Sequence, residues 1–139
     1  MARRGSGSYS APARKMVCTS TDISVKTRLT PAMISEIRAG GTPLARYIAR
    51  FYQTGQGGEY MWDELAAAWI RPSLITKRET RYMSVNLDRG AGHGDTLTWI
   101  EKDQSKLGAR PVEIQLDLDT ENFYRMFVSW MSAPTPSAR

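Results

Sequence analysis

Glu59-Tyr60-Met61-Trp62-Asp63-Glu64-Leu65-Ala66-Ala67-Ala68 joins a glycine-rich segment (Gly55, Gly57, Gly58) to an alanine-rich helix. An aromatic ring and a carboxylate therefore stand side by side where a loop meets a helix N-terminus, and loops on a rigid scaffold are where chemistry tends to reside. The local pattern alone has a plain reading: Asp63 is an N-cap whose carboxylate accepts the first free backbone N–H groups, and Trp62 is a core aromatic beside it. Pro72 stops this short helix, because its ring and missing N–H break the ladder.

Upstream, Lys15 to Val25 mixes β-branched residues with Asp22 and polar threonines, which predicts a strand running into a loop. Thr30-Pro31 opens a helix with Thr30 as N-cap and Pro31 at the first helical position. Met33, Ile34 and Ile37 form its apolar face, and Gly40-Gly41 stops it. Thr42-Pro43 repeats the device. The second helix places Leu44, Tyr47, Ile48 and Phe51 at i, i+3, i+4, i+7, the spacing of a buried stripe, with Arg46 and Arg50 solvated on its flank. The segment from Tyr52 to Tyr60 reads as a polar loop. Its glycines lack the GxGxxG order and the preceding strand of a dinucleotide-binding turn.

Downstream, Thr76 to Leu87 is extended, with Tyr82, Val85 and Leu87 as strand formers and one side kept charged by Lys77, Arg78, Glu79 and Arg81. Asp88 to Asp95 is a glycine-rich turn leading into a strand from Thr96 to Ile100. His93, the single histidine, lies in that turn and reads as an exposed turn residue. After a polar loop from Asp103 to Arg110, Pro111 to Leu118 reads as a strand with Val112, Ile114, Leu116 and Leu118 on one face. Asp117-Leu118-Asp119 has the look of an Asp-x-Asp metal pair, but Asp119 or Thr120 is better used as the cap of the following helix. That helix carries Phe123, Met126, Phe127, Trp130 and Met131 on one stripe. Pro134 and Pro136 end the ordered chain, and there are no internal repeats.

Five blocks, in this order and spacing, resemble the C-terminal part of the nucleoside hydrolases, calcium-dependent enzymes that cut the N-glycosidic bond of ribonucleosides. They are Thr21-Asp22-Ile23-Ser24-Val25-Lys26, Gly41-Thr42-Pro43-Leu44-Ala45-Arg46-Tyr47, Met61-Trp62-Asp63-Glu64-Leu65-Ala66, Asp88-Arg89-Gly90-Ala91-Gly92-His93-Gly94-Asp95-Thr96 and Val112-Glu113-Ile114-Gln115-Leu116-Asp117. The resemblance implies an α/β fold: the C-terminal portion of a Rossmann-like mixed sheet with flanking helices, incomplete alone. It implies a basic disordered tail over residues 1–15, a nucleoside hydrolase-like region over 16–133 and a second disordered tail over 134–139.

Cleaving an N-ribosidic bond builds positive charge on the ribose, as in other glycoside cleavages, so an activated water and a stabilised leaving base are required. Calcium suits the first need because it gathers many oxygens at once and acidifies a bound water. In the family one aspartate ligand comes from the C-terminal part, at the position matching Asp63. The neighbouring residue, a histidine and proposed proton donor in some branches, is Trp62 here. Tryptophan has no titratable proton near neutral pH, so the resemblance leaves Trp62 a stacking role that favours the larger purine ring. Tyr60 and Tyr52 flank the segment that closes over the nucleoside in the family and are further substrate-binding candidates. No residue of this chain is assigned as catalytic acid or base.

The family's aspartate-rich N-terminal signature, Asp-x-Asp-x-Gly-x-Asp-Asp, occurs nowhere in these 139 residues. One aspartate cannot hold a calcium ion that takes about 6–8 oxygens. The expectation is an incomplete hydrolase that forms a homo-oligomer or associates with a missing N-terminal part, exposing apolar surface where that part packs. The alternative is a non-catalytic homologue acting as a binding or assembly module, its basic tail meeting an acidic partner.

Charge and composition constrain the remaining classes. The net charge is +5, yet the first fifteen residues hold Arg3, Arg4, Arg14 and Lys15 and no acid, so the basicity belongs to the tail. A tail of this composition cannot bury apolar surface; a solvated leader is expected, and a nucleic-acid partner is not. Serine and arginine without acid also suit a transit peptide. Cys18 alone permits no intrachain disulfide and no cysteine metal site and is expected to pack as a small hydrophobe in a strand. The 24% charged and 41% hydrophobic fractions are ordinary for a soluble domain. With no apolar run long enough to span a bilayer and no secretory h-region, no membrane partner and a cytoplasmic location are expected.

Overall fold

The computed structural model describes residues 15–52, 55, 57–101 and 108–134. The elements in chain order are β1 (Val17–Thr19), α1 (Thr21–Ser24), β2 (Arg28–Leu29), α2 (Pro31–Ala39), α3 (Pro43–Phe51), β3 (Glu59–Tyr60) and α4 (Trp62–Ala67), then β4 (Ile75–Val85), β5 (Thr96–Trp99), β6 (Arg110–Leu118) and α5 (Thr120–Ser132). Two single 3₁₀ turns, Ala68–Ile70 and Pro72–Leu74, bring the chain from α4 to β4. The fold class is α/β, as expected. Four strands form one sheet in the order β1-β6-β4-β5, and β2 and β3 form a separate antiparallel pair. Among the described residues no helix is long and apolar enough to cross a membrane.

The chain divides into two compact units, one holding Thr80–Glu113 with the segment up to Val17, the other holding Cys18–Glu79 and Ile114 onward. In the first, β4 and β5 make an antiparallel hairpin with Tyr82 opposite Trp99 and Val85 opposite Thr96. Its turn closes through Asn86 N–H to Asp95 O and Gly94 N–H to Asn86 O, both 2.8 Å. His93 is exposed there, its Nδ1 3.3 Å from the Asp88 carbonyl, which bears out the turn reading. The Glu113 N–H donates to Met16 O, and Lys15 pairs with Glu113 at 2.8 Å.

The second unit contains the helices. Both Thr-Pro helix starts form as expected: Thr30 Oγ1 accepts from Met33 N–H and Thr42 Oγ1 from Ala45 N–H. Helix α2 buries Met33, Ile34 and Ile37 and ends at Gly40, after which Gly41 turns the chain with φ +68°. Asp119 caps α5 by accepting from Asn122 N–H at 3.0 Å. Phe123, Phe127 and Val128 of α5 meet α2 and the inner face of α3 in the core, with Met126 and Met131 partly buried against them. Trp130, expected on that stripe, is exposed.

Three further sequence expectations are overturned. Helix α3 does not bury its large residues: Tyr47 and Phe51 are 63% and 60% exposed, whereas Ala45, Ile48 and Ala49 face the core. Both sets have helical spacing, and the small set wins because alanines let α3 approach α2 and α5 closely. The exposed rings rest on each other at 4.6 Å. Strand β6 does not alternate either; Val112, Gln115 and Leu118 are its buried positions, while Ile114 and Leu116 are half-covered. Gln115 is tolerated at 3% exposure because its Oε1 accepts from Thr19 Oγ1 at 2.8 Å, and a buried amide must find such a partner. Finally, Thr21–Ser24, read as the end of a strand running into a loop, is a turn of helix; Cys18 lies half-buried in β1 as expected.

Candidate functional site

The site grows from the β3–α4 junction in the second unit. Strand β3 is held against β2 with Arg28 opposite Tyr60 and Leu29 opposite Glu59, and Met61 N–H continues the pairing to Thr27 O at 3.3 Å. Met61 is fully buried and is itself the N-cap residue of α4, with φ −93° and ψ 67°. Leu65, one turn later, is also fully buried. These two anchors fix the helix start and leave Trp62 and Asp63 between them on the open side.

This geometry corrects both halves of the plain reading. Asp63 is not the N-cap; it lies in the first turn of α4 with Glu64, where their charges favour the positive end of a helix. Trp62 is not a core aromatic, since it is 45% exposed. Its ring leans on Tyr60 at 5.1 Å between centroids and 53° between planes, within the range of favourable tilted aromatic pairs. The structure thus brings together Tyr60, Trp62 and Asp63 on one stretch of surface.

Tyr52 joins them through its hydroxyl, which donates to Glu64 Oε1 at 3.1 Å. Burial pushes the Tyr52 phenol above its ordinary value, and the hydrogen bond to Glu64, the Glu64 charge and the Asp63 charge push it further. The phenol therefore stays protonated and serves as a neutral donor beside two carboxylates. The intervening residues 53, 54 and 56 of the expected closing segment lie outside the described residues.

Glu64 and Arg28 are members of this surface that the sequence reading missed. The Arg28 guanidinium lies 4.0 Å over the Tyr60 ring. No local signal marks it, because it reaches Tyr60 only through pairing of two very short strands far apart in sequence.

A calcium ion does not fit these residues alone. Among the described residues no group of three or more His, Cys, Asp or Glu side chains could hold a metal ion; Asp63 and Glu64 are two carboxylates where about 6–8 oxygens are needed. Asp117 and Asp119 do not help. Asp117 pairs with Lys26 at 2.9 Å, and Asp119 is the α5 cap.

No protein-family model matches the chain, and no curated protein sequence matches it. Its structure is similar to that of a plant nucleoside hydrolase, with a TM-score of 0.70 and 18% identity over 86% of this chain and 42% of that one. It is likewise similar to an inosine-guanosine nucleoside hydrolase, with a TM-score of 0.67 and 19% identity over 82% of this chain and 38% of the other. A purine-preferring ribonucleoside hydrolase from Gardnerella vaginalis gives a TM-score of 0.59 and 23% identity, over 80% and 37%. The chain has the fold of part of a nucleoside hydrolase and spans about two fifths of the length of these neighbours.

Proposed function

We propose that this chain is the C-terminal part of a purine nucleoside N-ribohydrolase whose site is completed by polypeptide outside these 139 residues, supplied by a second segment or by oligomerisation. The observation that supports the reading is the exposed Trp62–Asp63 pair, held rigid between Met61 and Leu65, on a chain with the fold of part of these hydrolases. Asp63 contributes one oxygen ligand to a calcium ion whose other ligands lie elsewhere. Trp62, backed by Tyr60, forms a flat wall for the base and excludes water from one of its faces. A bicyclic purine covers more of that wall than a pyrimidine, and burial of apolar area favours it accordingly. Trp62 cannot protonate the leaving base. The cytoplasm is the compartment this reading assumes.

The test is release of reducing sugar from inosine by the purified chain mixed with a separately expressed aspartate-rich N-terminal half of a nucleoside hydrolase, in calcium and in chelator, beside Asp63→Ala and beside the chain alone, which is expected to be inactive. Chelator-sensitive turnover that Asp63→Ala abolishes upholds the reading. Turnover that survives both treatments refutes the assignment of Asp63.

A second reading, a non-catalytic binding or assembly module, is favoured by one observation: the described residues cannot hold the metal by themselves. It predicts no turnover even when the aspartate-rich half is supplied, and binding to an acidic partner that weakens steeply with salt until Arg3, Arg4, Arg14 and Lys15 are replaced.

A further inference from the structure

We propose that Arg28 is the positioning residue of this site: acting through Tyr60, it sets the orientation of the Trp62 ring, and it holds the end of the glycine-rich segment against β2. The consequence for purine selectivity rests on the function proposed above; the positioning itself does not.

The Arg28 side chain is committed on three sides. Its Nη1 donates to the carbonyls of Gly57 and Gly58 at 3.0 and 3.1 Å, and its Nη2 donates to the Tyr60 hydroxyl. The guanidinium plane also covers the Tyr60 ring, with Cζ 4.0 Å from the centroid. Its backbone is fixed as well, since Arg28 N–H donates to the Tyr124 hydroxyl at 2.8 Å. A planar fork can serve several acceptors and stack at once, whereas an ammonium cannot. Gly58 shows how tightly the segment is drawn in: its φ is +71°, and a Cβ there would lie 2.7 Å from the Leu29 carbonyl oxygen.

Tyr60 passes this constraint on. Trp62 is 45% exposed, and Tyr60 is the ring that leans on it, at 5.1 Å. If Tyr60 swings, Trp62 loses that support and samples further rotamers, so a ligand ring must then order it on binding. The neighbours Leu29 and Met61 are buried in the core, whereas Arg28 and Tyr60 are themselves only half-buried, so the stack can be loosened while the core contacts remain.

The experiment follows the Trp62 indole N–H resonance, assigned through Trp62→Phe, in the wild-type chain and in Arg28→Lys, Arg28→Gln and Tyr60→Phe. Thermal melts check that each variant is folded. Both Arg28 variants are expected to move and broaden the Trp62 signal, and lysine is expected to give no rescue despite its charge. Tyr60→Phe keeps the ring and loses the hydroxyl acceptor, so it is expected to shift the signal in the same direction. It carries the test if the Arg28 variants do not fold. A Trp62 signal unchanged in every folded variant, or restored by lysine, overturns the proposal.

Inosine and uridine are then titrated against the same resonance. The preference for inosine is expected to fall about threefold to tenfold in Arg28→Lys, the range set by one aromatic contact. An inosine preference that stays intact while Trp62 moves refutes the link to selectivity. If neither nucleoside perturbs wild-type Trp62 even with the aspartate-rich half present, while the Arg28→Lys substitution does, the hydrolase reading fails and the positioning role stands.

Discussion

Replacing Gly40 by alanine probes a close approach between the end of helix α2 and helix α5. Gly40 has an ordinary helical φ of −61°, so its backbone would accept any residue. What forbids a side chain is space: a Cβ there would stand 2.8 Å from Ser132 Cβ and 3.1 Å from Ile37 O. Ile37 O belongs to the last turn of α2 itself, but Ser132 Cβ is fixed to the α5 backbone, so α2 and α5 must separate. Overpacking of this kind costs about 1–3 kcal/mol, and the lower chain entropy of unfolded alanine returns roughly 0.5–1 kcal/mol. The net expectation is a loss of about 1–2 kcal/mol, or roughly 4–8 °C in melting temperature for a chain of this size. Chemical denaturation of Gly40→Ala, Ser132→Gly and the double variant measures it. Ser132→Gly removes the opposing Cβ and costs about 0.5–1 kcal/mol by itself as a glycine in the last turn of α5. In its background Gly40→Ala should be near neutral, a coupling of about 1–2 kcal/mol. If Gly40→Ala costs the same in both backgrounds, or stabilises the chain, this account of the α2–α5 contact is wrong.

Three more outcomes are expected. Lys26, together with the Leu118 N–H, holds the Asp117 carboxyl below its usual range. A depressed folded value means that its stabilisation is present above the unfolded carboxylate value and is lost as pH falls through the folded one. Asp117→Asn should therefore flatten the acid limb of a pH–stability curve relative to wild type, and an unchanged limb would show the pair to be inert. Truncating fully buried Phe123 to alanine should cost about 3–5 kcal/mol by urea denaturation; a loss under about 1 kcal/mol would mean that the core is not centred on α5. Tyr47→Ser with Phe51→Ser should cost no more than about 1.5 kcal/mol, the weight of their mutual contact, yet raise solubility in light scattering, because the removed rings face outward. A large stability loss would show that those rings are covered.

The helix starts were legible because a cap is a local event. Thr30, Thr42 and Asp119 each accept a backbone N–H three residues on, so the residues that decide the interaction are adjacent in the chain. The same holds for the β4–β5 hairpin, whose turn closes on itself between Asn86 and Asp95. At the candidate site the order Tyr60, Trp62, Asp63 was readable, and so was the plain alternative, but their surroundings were not. The sequence favoured Asp63 as cap, yet the cap position went to Met61 because its buried side chain and the Thr27 hydrogen bond start the helix two residues earlier than the carboxylate would.

By itself the sequence determined the Thr30, Thr42 and Asp119 caps and the β4–β5 turn, each carried by residues within a few positions of one another, and, through five blocks spread from Thr21 to Asp117, the α/β class and the family resemblance. Tertiary structure alone decided which stripe of α3 is buried, because large and small residues there share one helical period and only the approach of α2 and α5 chooses between them. It also decided that Gln115 goes inside, by bringing Thr19 to its amide. And it decided that Arg28 serves Tyr60, because two-residue strands separated by some thirty positions have no pairing signal until packing brings them together.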